Sequence, residues 1–157
     1  MNIIQANTEA HFSQAKTLFK AYQEELAVDL CFQSFNAELE SISGIYNPST
    51  GGLFLLEEGN TYFGCAGIKY LSEGVCELKR MYIHPSQRGK GYSQVLIDHC
   101  FDLAKTLKYT KMQLDTLPRL KAAIHLYEKN GFEEIMAYYD NPLDGVRYFE
   151  KLLITDY

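Results

Sequence analysis

The sequence contains no tryptophan, four cysteines and no apolar stretch long enough to cross a membrane. Its cysteines, Cys31, Cys65, Cys76 and Cys100, lie far apart and form no Cys-x-x-Cys pair. We therefore expect reduced, mostly buried thiols, with neither a zinc site nor a disulfide framework. The amino terminus lacks the basic start and the continuous apolar run of a signal peptide. These absences predict a cytoplasmic chain with no membrane segment and no bound metal.

Positive charge is also scarce, because the 157 residues carry a net charge of -5. A nucleic-acid-binding surface needs a basic face, so we expect no nucleic-acid partner. The length fits one domain over residues 1–157 with a single core, and no repeat, low-complexity tract or linker interrupts it. Against this acidic background Arg88 and Lys90 form a local basic cluster.

That basic cluster lies in a turn between a predicted strand and a predicted helix. The strand pattern stops at His84-Pro85, and a helical pattern begins at Tyr92. Gly89 and Gly91 permit close approach, and a helix N-terminus carries about half a positive charge, so backbone N–H groups there can hold a phosphate. An exposed turn with basic side chains is an equally good interpretation of these residues alone.

Two known phosphate motifs are excluded by their spacing. A nucleoside-triphosphate loop requires a glycine where His84 stands, and Ser or Thr where Gly91 follows Lys90. A dinucleotide fingerprint requires a third glycine where the sequence has Gln94.

The turn resembles the acetyl-coenzyme A (acetyl-CoA) loop of the Gcn5-related N-acetyltransferases (the GNAT family), whose signature is Gln/Arg-x-x-Gly-x-Gly/Ala. Segments 77–85 and 123–132 are also similar to this family. The sequence departs from the signature at Ser93, where the family usually has Gly or Ala. The resemblance implies that the diphosphate of acetyl-CoA is bound by Gln87, Arg88, Gly89, Lys90, Gly91, Tyr92 and Ser93.

Periodicity predicts a mixed α/β chain. The predicted elements are a strand at 3–4, helices at 8–26 and 35–44, a three-strand meander over 53–83, a helix from 92, a strand at 111–116, a helix with Pro118 in its first turn, and a hairpin of 134–139 with 146–153. The resemblance implies an acyl-CoA N-acyltransferase fold. In that fold a central, mostly antiparallel sheet is flanked by helices and splays between the strands that end at Ile83 and Thr116.

The activity implied by the resemblance is direct transfer of an acetyl group from acetyl-CoA to a primary amine in a ternary complex, without a metal. Met81, Tyr82 and Ile83 would contact the pantetheine arm and supply a backbone N–H to the thioester carbonyl. Thr116 would contact the pantetheine amides.

Tyr127 would be the general acid in such a reaction, because a phenol with a pKa of about 10 can protonate a thiolate whose thiol has a pKa of about 8.5. A half-buried structural tyrosine is the alternative. Glu77 is a candidate general base acting through water, although a salt bridge with Lys79 or Arg80 explains it at least as well.

The acceptor pocket would be formed by residues 22–35 and 138–148. Glu24, Glu25 and Asp29 would attract a cationic amine there, or would simply form a solvated surface. Two other functions stay open, namely a non-catalytic acyl-CoA sensor and an acyltransferase that uses another acyl donor or a hydroxyl acceptor. A homodimer is possible by the same resemblance.

Overall fold

A computed structural model describes residues 1–28 and 34–153. Its seven strands form one sheet in the order β1-β2-β3-β4-β5-β7-β6, in which β4 and β5 are parallel and the other neighbours antiparallel. The strands are β1 Asn2–Gln5, β2 Gly52–Glu58, β3 Thr61–Ser72, β4 Val75–Ile83, β5 Lys111–Thr116, β6 Glu133–Ile135 and β7 Arg147–Leu152. The helices are α1 Glu9–Leu26, α2 Phe35–Glu40, α3 Ile42–Ile45, α4 Tyr92–Thr106 and α5 Lys121–Lys129.

Helix α1 illustrates how the sequence determines where a helix begins, which face it buries and where it ends. Thr8 caps α1, because its hydroxyl accepts a hydrogen bond from the His11 backbone N–H at 3.1 Å. Helical spacing then places an apolar stripe on one face, including the fully buried Ala15 and Phe19. The helix ends at Ala27, which has left-handed backbone angles.

Two apolar cores lie on opposite faces of the sheet. The side chains of α1, α2 and α3 pack on one face around Phe19 and Tyr46. The side chains of α4 and α5 pack on the other face around Leu96 and Met112. The sheet is therefore covered by helices on both faces, as the resemblance implies.

The sheet opens between its two parallel strands. The ladder between β4 and β5 has three pairs, Val75 with Lys111, Cys76 with Met112 and Glu77 with Gln113, although β4 continues to Ile83 and β5 to Thr116. The predicted splay between these strands is thus confirmed. The carboxyl-terminal halves of β4 and β5 form the two sides of a wedge.

A β-bulge in β4 lies beside this wedge. Cys65 pairs with Tyr82 and Gly67 with Lys79, so β4 carries one more residue than β3 over the same span. Arg80 lies in the bulge with a φ of 58°, an uncommon angle for a residue that is not glycine. Such a bulge bends the strand and changes the face to which the following side chains point.

Three predicted elements differ from the structure. The second helix is broken at Ser41, whose ψ of 24° and φ of -114° are not helical, so α2 and α3 are separate. Helix α5 begins at Lys121 rather than around Pro118, which precedes it in a turn. Strand β6 ends at Ile135 instead of residue 139. The hydroxyls of the following Tyr138 and Tyr139 donate hydrogen bonds to Glu77 in β4 and Asp115 in β5.

The prediction of buried, reduced thiols is confirmed for Cys65, Cys76 and Cys100. Cys31 lies outside the described residues, as does Asp29. Within residues 1–28 and 34–153, the structure contains no helix long and apolar enough to span a membrane. Across the same residues no group of three or more His, Cys, Asp or Glu side chains is placed to hold a metal ion.

Candidate active site

The turn between β4 and α4 has the backbone geometry of an anion site. Gly89 and Gly91 have φ values of 80° and 82°, which glycine adopts without steric cost. Gly91 directly precedes α4, and its carbonyl accepts a hydrogen bond from the Val95 N–H at 3.4 Å. The N–H groups of the first turn, including those of Tyr92 and Ser93, have no partner inside the helix and point toward its open end.

Side chains of this turn are tied to their surroundings. Arg88 donates from Nε to the Ile83 carbonyl at 2.9 Å and from Nη2 to the Glu25 carboxylate at 2.7 Å. Lys90 donates to the Gln87 side chain at 2.8 Å. Arg88 therefore joins the turn to the end of α1. His84 accepts a hydrogen bond from the Ser86 N–H at 3.2 Å, which fixes the backbone at the start of the turn.

A cleft of about 730 Å³ extends from this turn along the wedge, a volume typical of small-molecule sites. The cleft brings together ten of the eleven predicted cofactor-binding residues, which are Met81, Tyr82, Ile83, Gln87, Arg88, Gly89, Gly91, Tyr92, Ser93 and Thr116. Lys90 is the remaining one, and it lies outside the lining. Arg119, which no sequence pattern singled out, also lines the cleft and donates a hydrogen bond to the Leu26 carbonyl at the end of α1.

Tyr127 lies at the inner end of the cleft. It belongs to α5, lines the cleft together with Met81 and Thr116, and is 6% exposed. Its ring meets Phe132 edge to face, with ring centroids 5.8 Å apart. Burial raises the pKa of the Tyr127 phenol above its usual value, so the hydroxyl keeps its proton well above neutral pH.

Glu77 lies deeper in the sheet than the cleft. Its carboxylate is 4% exposed, accepts a hydrogen bond from the Tyr138 hydroxyl at 2.6 Å and lies 3.8 Å from the Lys79 ammonium. The salt bridge with Lys79 that the sequence left open is therefore present. Glu77 does not belong to the lining of the cleft.

A second, smaller cavity of about 50 Å³ adjoins the cleft on the side of α1 and the segment 136–146. Asp115, at the end of β5, lines both spaces, as do Met81 and Tyr127. The hydroxyl of Tyr139 donates a hydrogen bond to the Asp115 carboxylate, and Asn141 donates another at 3.3 Å. Asp115 was not among the predicted site residues, although a charged residue at the end of a strand, directly before the predicted Thr116, is a usable signal.

Comparisons with known proteins agree with this geometry. The model of the acetyltransferase (GNAT) family matches residues 14–132. An uncharacterized N-acetyltransferase of Schizosaccharomyces pombe is 34% identical over 135 residues, which cover 85% of this chain and 83% of that protein. The chain belongs to the GNAT family of acetyltransferases.

Solved GNAT structures share the fold of this member. A GNAT acetyltransferase from Staphylococcus aureus Mu50 superimposes with a TM-score of 0.81 at 22% identity, covering 98% of this chain and 99% of its own. The putative acetyltransferase yncA from Salmonella typhimurium, whose structure contains acetyl-CoA, matches with a TM-score of 0.72 at 18% identity, covering 100% and 96%. The predicted acyl-CoA N-acyltransferase fold is thereby confirmed.

Proposed function

We propose that this GNAT protein transfers the acetyl group of acetyl-CoA to a primary amine by direct attack in a ternary complex. The observation that carries the proposal is the wedge between β4 and β5, which has the glycine-containing turn and the N-terminus of α4 at its outer end and Tyr127 at its inner end. With the diphosphate bound at the turn, the pantetheine arm would extend along the wedge. The thioester would then lie near Tyr127.

The turn would bind the diphosphate through backbone N–H groups from Gly89 to Ser93, with the positive end of α4 behind them. Arg88 would contribute positive charge from the cleft wall, and Lys90 would contribute from just outside it. In the wedge, Thr116 would bind a pantetheine amide from the β5 side. On the β4 side, the backbone of residues 81–83 would do the same and polarise the thioester carbonyl, an effect worth about 3 kcal/mol in other acyl-transfer sites.

The chemical step follows from these positions. A neutral amine attacks the carbonyl carbon, so a carbon–nitrogen bond forms and, as the tetrahedral intermediate collapses, the carbon–sulfur bond breaks. The Tyr127 hydroxyl would give its proton to the departing thiolate and regain one from solvent. The Tyr127 phenol is protonated at neutral pH, and the burial that raises its pKa makes it a weaker acid than a free tyrosine. The extra proton on the attacking nitrogen leaves to a base or to water.

Glu77 is the proposed base for that proton, and its position requires a path through water or through the Tyr138 hydroxyl. The structure supports the role of Glu77 less directly than that of Tyr127, since Glu77 is outside the cleft. No metal enters this mechanism. The cytoplasmic location, the single-domain assignment and the possible homodimer stay predictions from the sequence.

Calorimetry with acetyl-CoA followed by an amine screen tests the proposal. Acetyl-CoA should bind, and a hundredfold excess over its dissociation constant should raise the free energy of unfolding by about 2.7 kcal/mol. Free thiol should then appear when an amine is added. Binding without thiol release from any amine would favour an acyl-CoA sensor, and release with alcohols alone would favour an O-acyltransferase. Absence of binding would refute the acetyl-CoA assignment.

A further inference from the structure

Glu25 places a negative charge at the end of the cleft where the diphosphate is proposed to bind. It lies in the last turn of α1 and lines the cleft together with Arg88. Its carboxylate accepts a hydrogen bond from Nη2 of Arg88 at 2.7 Å. Asp115, the other acidic side chain in the described lining of the cleft, belongs to β5. A carboxylate and a diphosphate would therefore meet at the same arginine.

Arg88 is held in the cleft wall by contacts that do not involve Glu25. Its Nε donates a hydrogen bond to the Ile83 carbonyl at 2.9 Å, and its guanidinium carbon lies 5.8 Å from the centroid of the Tyr82 ring. A guanidinium group binds carboxylate and phosphate oxygens with the same arrangement of N–H donors. Glu25 thus occupies a donor of the kind that a diphosphate would use.

The ion pair between Glu25 and Arg88 is weak enough to be exchanged for another anion. The side chains of Arg88 and Glu25 are 44% and 41% exposed, and exposed ion pairs contribute little to the stability of a protein. A diphosphate carries more negative charge than a carboxylate, and the backbone N–H groups of the turn would bind it at the same time. A diphosphate can therefore take the place of the Glu25 carboxylate at Arg88.

The end of α1 has other contacts that keep it in place when Glu25 leaves Arg88. Arg119, in the segment after β5, donates a hydrogen bond to the Leu26 carbonyl. The Leu26 side chain is 5% exposed and belongs to the apolar core on this face of the sheet. The exchange thus requires a change in one side chain and no movement of the helix, and a variant at Glu25 should fold as the wild type does.

We propose that Glu25 is a built-in competitor of the acyl carrier, which lowers the affinity of the cleft for a diphosphate by binding Arg88. This inference rests on the proposed function, because it concerns the regulation of the same site. Acetyl-CoA and the product CoA carry the same diphosphate, so Glu25 weakens the binding of both by the same factor. Glu25 thereby favours the release of CoA after the transfer.

The test measures dissociation constants by calorimetry on the full chain, with acetyl-CoA and CoA as ligands. Glu25→Gln should lower the dissociation constant of acetyl-CoA at least threefold and that of CoA by the same factor. Glu24→Gln removes the same charge from the neighbouring exposed residue, which is outside the lining of the cleft, and should change both constants by less than 1.5-fold. In an Arg88→Gln background, adding Glu25→Gln should also change them by less than 1.5-fold, because the competition acts through Arg88.

Equal dissociation constants for Glu25→Gln and Glu24→Gln would overturn the inference, as would a weaker binding of acetyl-CoA to Glu25→Gln than to the wild type. A gain in affinity that persists in the Arg88→Gln background would show a general effect of charge and would overturn the competition at Arg88. These outcomes differ from failure of the proposed function itself, in which the wild type does not bind acetyl-CoA.

Discussion

Arg80 in β4 and Glu38 in α2 form a buried, two-point ion pair. Nε and Nη2 of Arg80 lie 3.0 and 2.8 Å from the two carboxylate oxygens, and both residues are at most 6% exposed. The Tyr46 hydroxyl donates a third hydrogen bond to Glu38 at 3.0 Å. The pair fixes α2 against the bulge of β4, one residue before Met81 in the cleft wall. The ion pair therefore helps to set the shape of the proposed site, because it holds β4 in place from the side of α2.

Removing one partner of this pair is expected to be costly. Glu38→Ala should lower the free energy of unfolding by about 3–5 kcal/mol, because Arg80 would stay buried without its carboxylate. Urea unfolding followed by circular dichroism measures the loss. Glu40→Ala, an exposed change on the same helix, should alter stability by no more than about 0.5 kcal/mol. Similar stabilities for the two variants would contradict the role assigned to the ion pair.

The proposed diphosphate site in the turn between β4 and α4 can be tested with a matched pair of glycines. Gly91 and Gly59 both have positive φ, 82° and 56°, and a Cβ added to either would have no heavy atom within 4 Å. An alanine at either position meets a backbone cost of about 1–2 kcal/mol. Gly91→Ala should in addition raise the dissociation constant of acetyl-CoA at least tenfold, measured by calorimetry. Gly59→Ala should leave it unchanged, and equal affinities would refute the turn as the diphosphate site.

The proposed role of Tyr127 as general acid predicts that its loss lowers turnover and leaves acetyl-CoA binding unchanged. Tyr127→Phe should lower kcat at least tenfold, because the phenylalanine has no proton to give to the thiolate. The affinity for acetyl-CoA should change by less than twofold, since the ring and its packing on Phe132 are kept. Tyr70→Phe, on an exposed part of β3, is the control. Full turnover in Tyr127→Phe would remove this residue from the mechanism.

Buried thiols should make the protein lose stability at alkaline pH. Burial raises the pKa of Cys76 from about 9 to about 12. Above pH 9 the unfolded chain therefore binds fewer protons at this site than the native protein, and stability falls as pH rises toward 12. The Cys76 contribution to this loss is about 1 kcal/mol between pH 9 and pH 10.

Urea unfolding at pH 8, 9 and 10 measures this dependence. Between pH 9 and pH 10 the free energy of unfolding of Cys76→Ala should fall by about 1 kcal/mol less than that of the wild type. Only the slopes of the free energy of unfolding against pH are compared. The loss of packing that alanine itself causes lowers stability at every pH and therefore does not affect the result. Parallel curves for the two proteins would show that the Cys76 thiol titrates alike in the native and unfolded states.

The sequence predicts best the elements whose pattern and boundary signals agree. Strand β5 has strict alternation, and its range of 111–116 is correct to the residue. Helix α4 begins at Tyr92 as predicted, because Gly91 ends the turn directly before an apolar helical face. The turn before α4 could be predicted as a candidate anion site for the same reason, since glycines, charge and helix start coincide there.

The errors occur where tertiary contacts override local pattern. Residues 136–139 continue an acceptable strand sequence, but the Tyr138 hydroxyl bonds to Glu77 and the Tyr139 hydroxyl to Asp115. These bonds cross between distant parts of the chain, so no local window contains them. Asp115 was overlooked for the same reason, because its significance comes from a cavity that β5 forms with the segment 136–146.

The short ladder between β4 and β5 has a mechanical consequence. In the described sheet, its three residue pairs are the sole strand pairing between a four-stranded part, β1 to β4, and a three-stranded part, β5 to β7. A molecule that fills the wedge would act as a brace between the two parts. Occupancy by the acyl carrier should thus stiffen the sheet as a whole, and slower amide hydrogen exchange would extend to strands that the carrier never contacts.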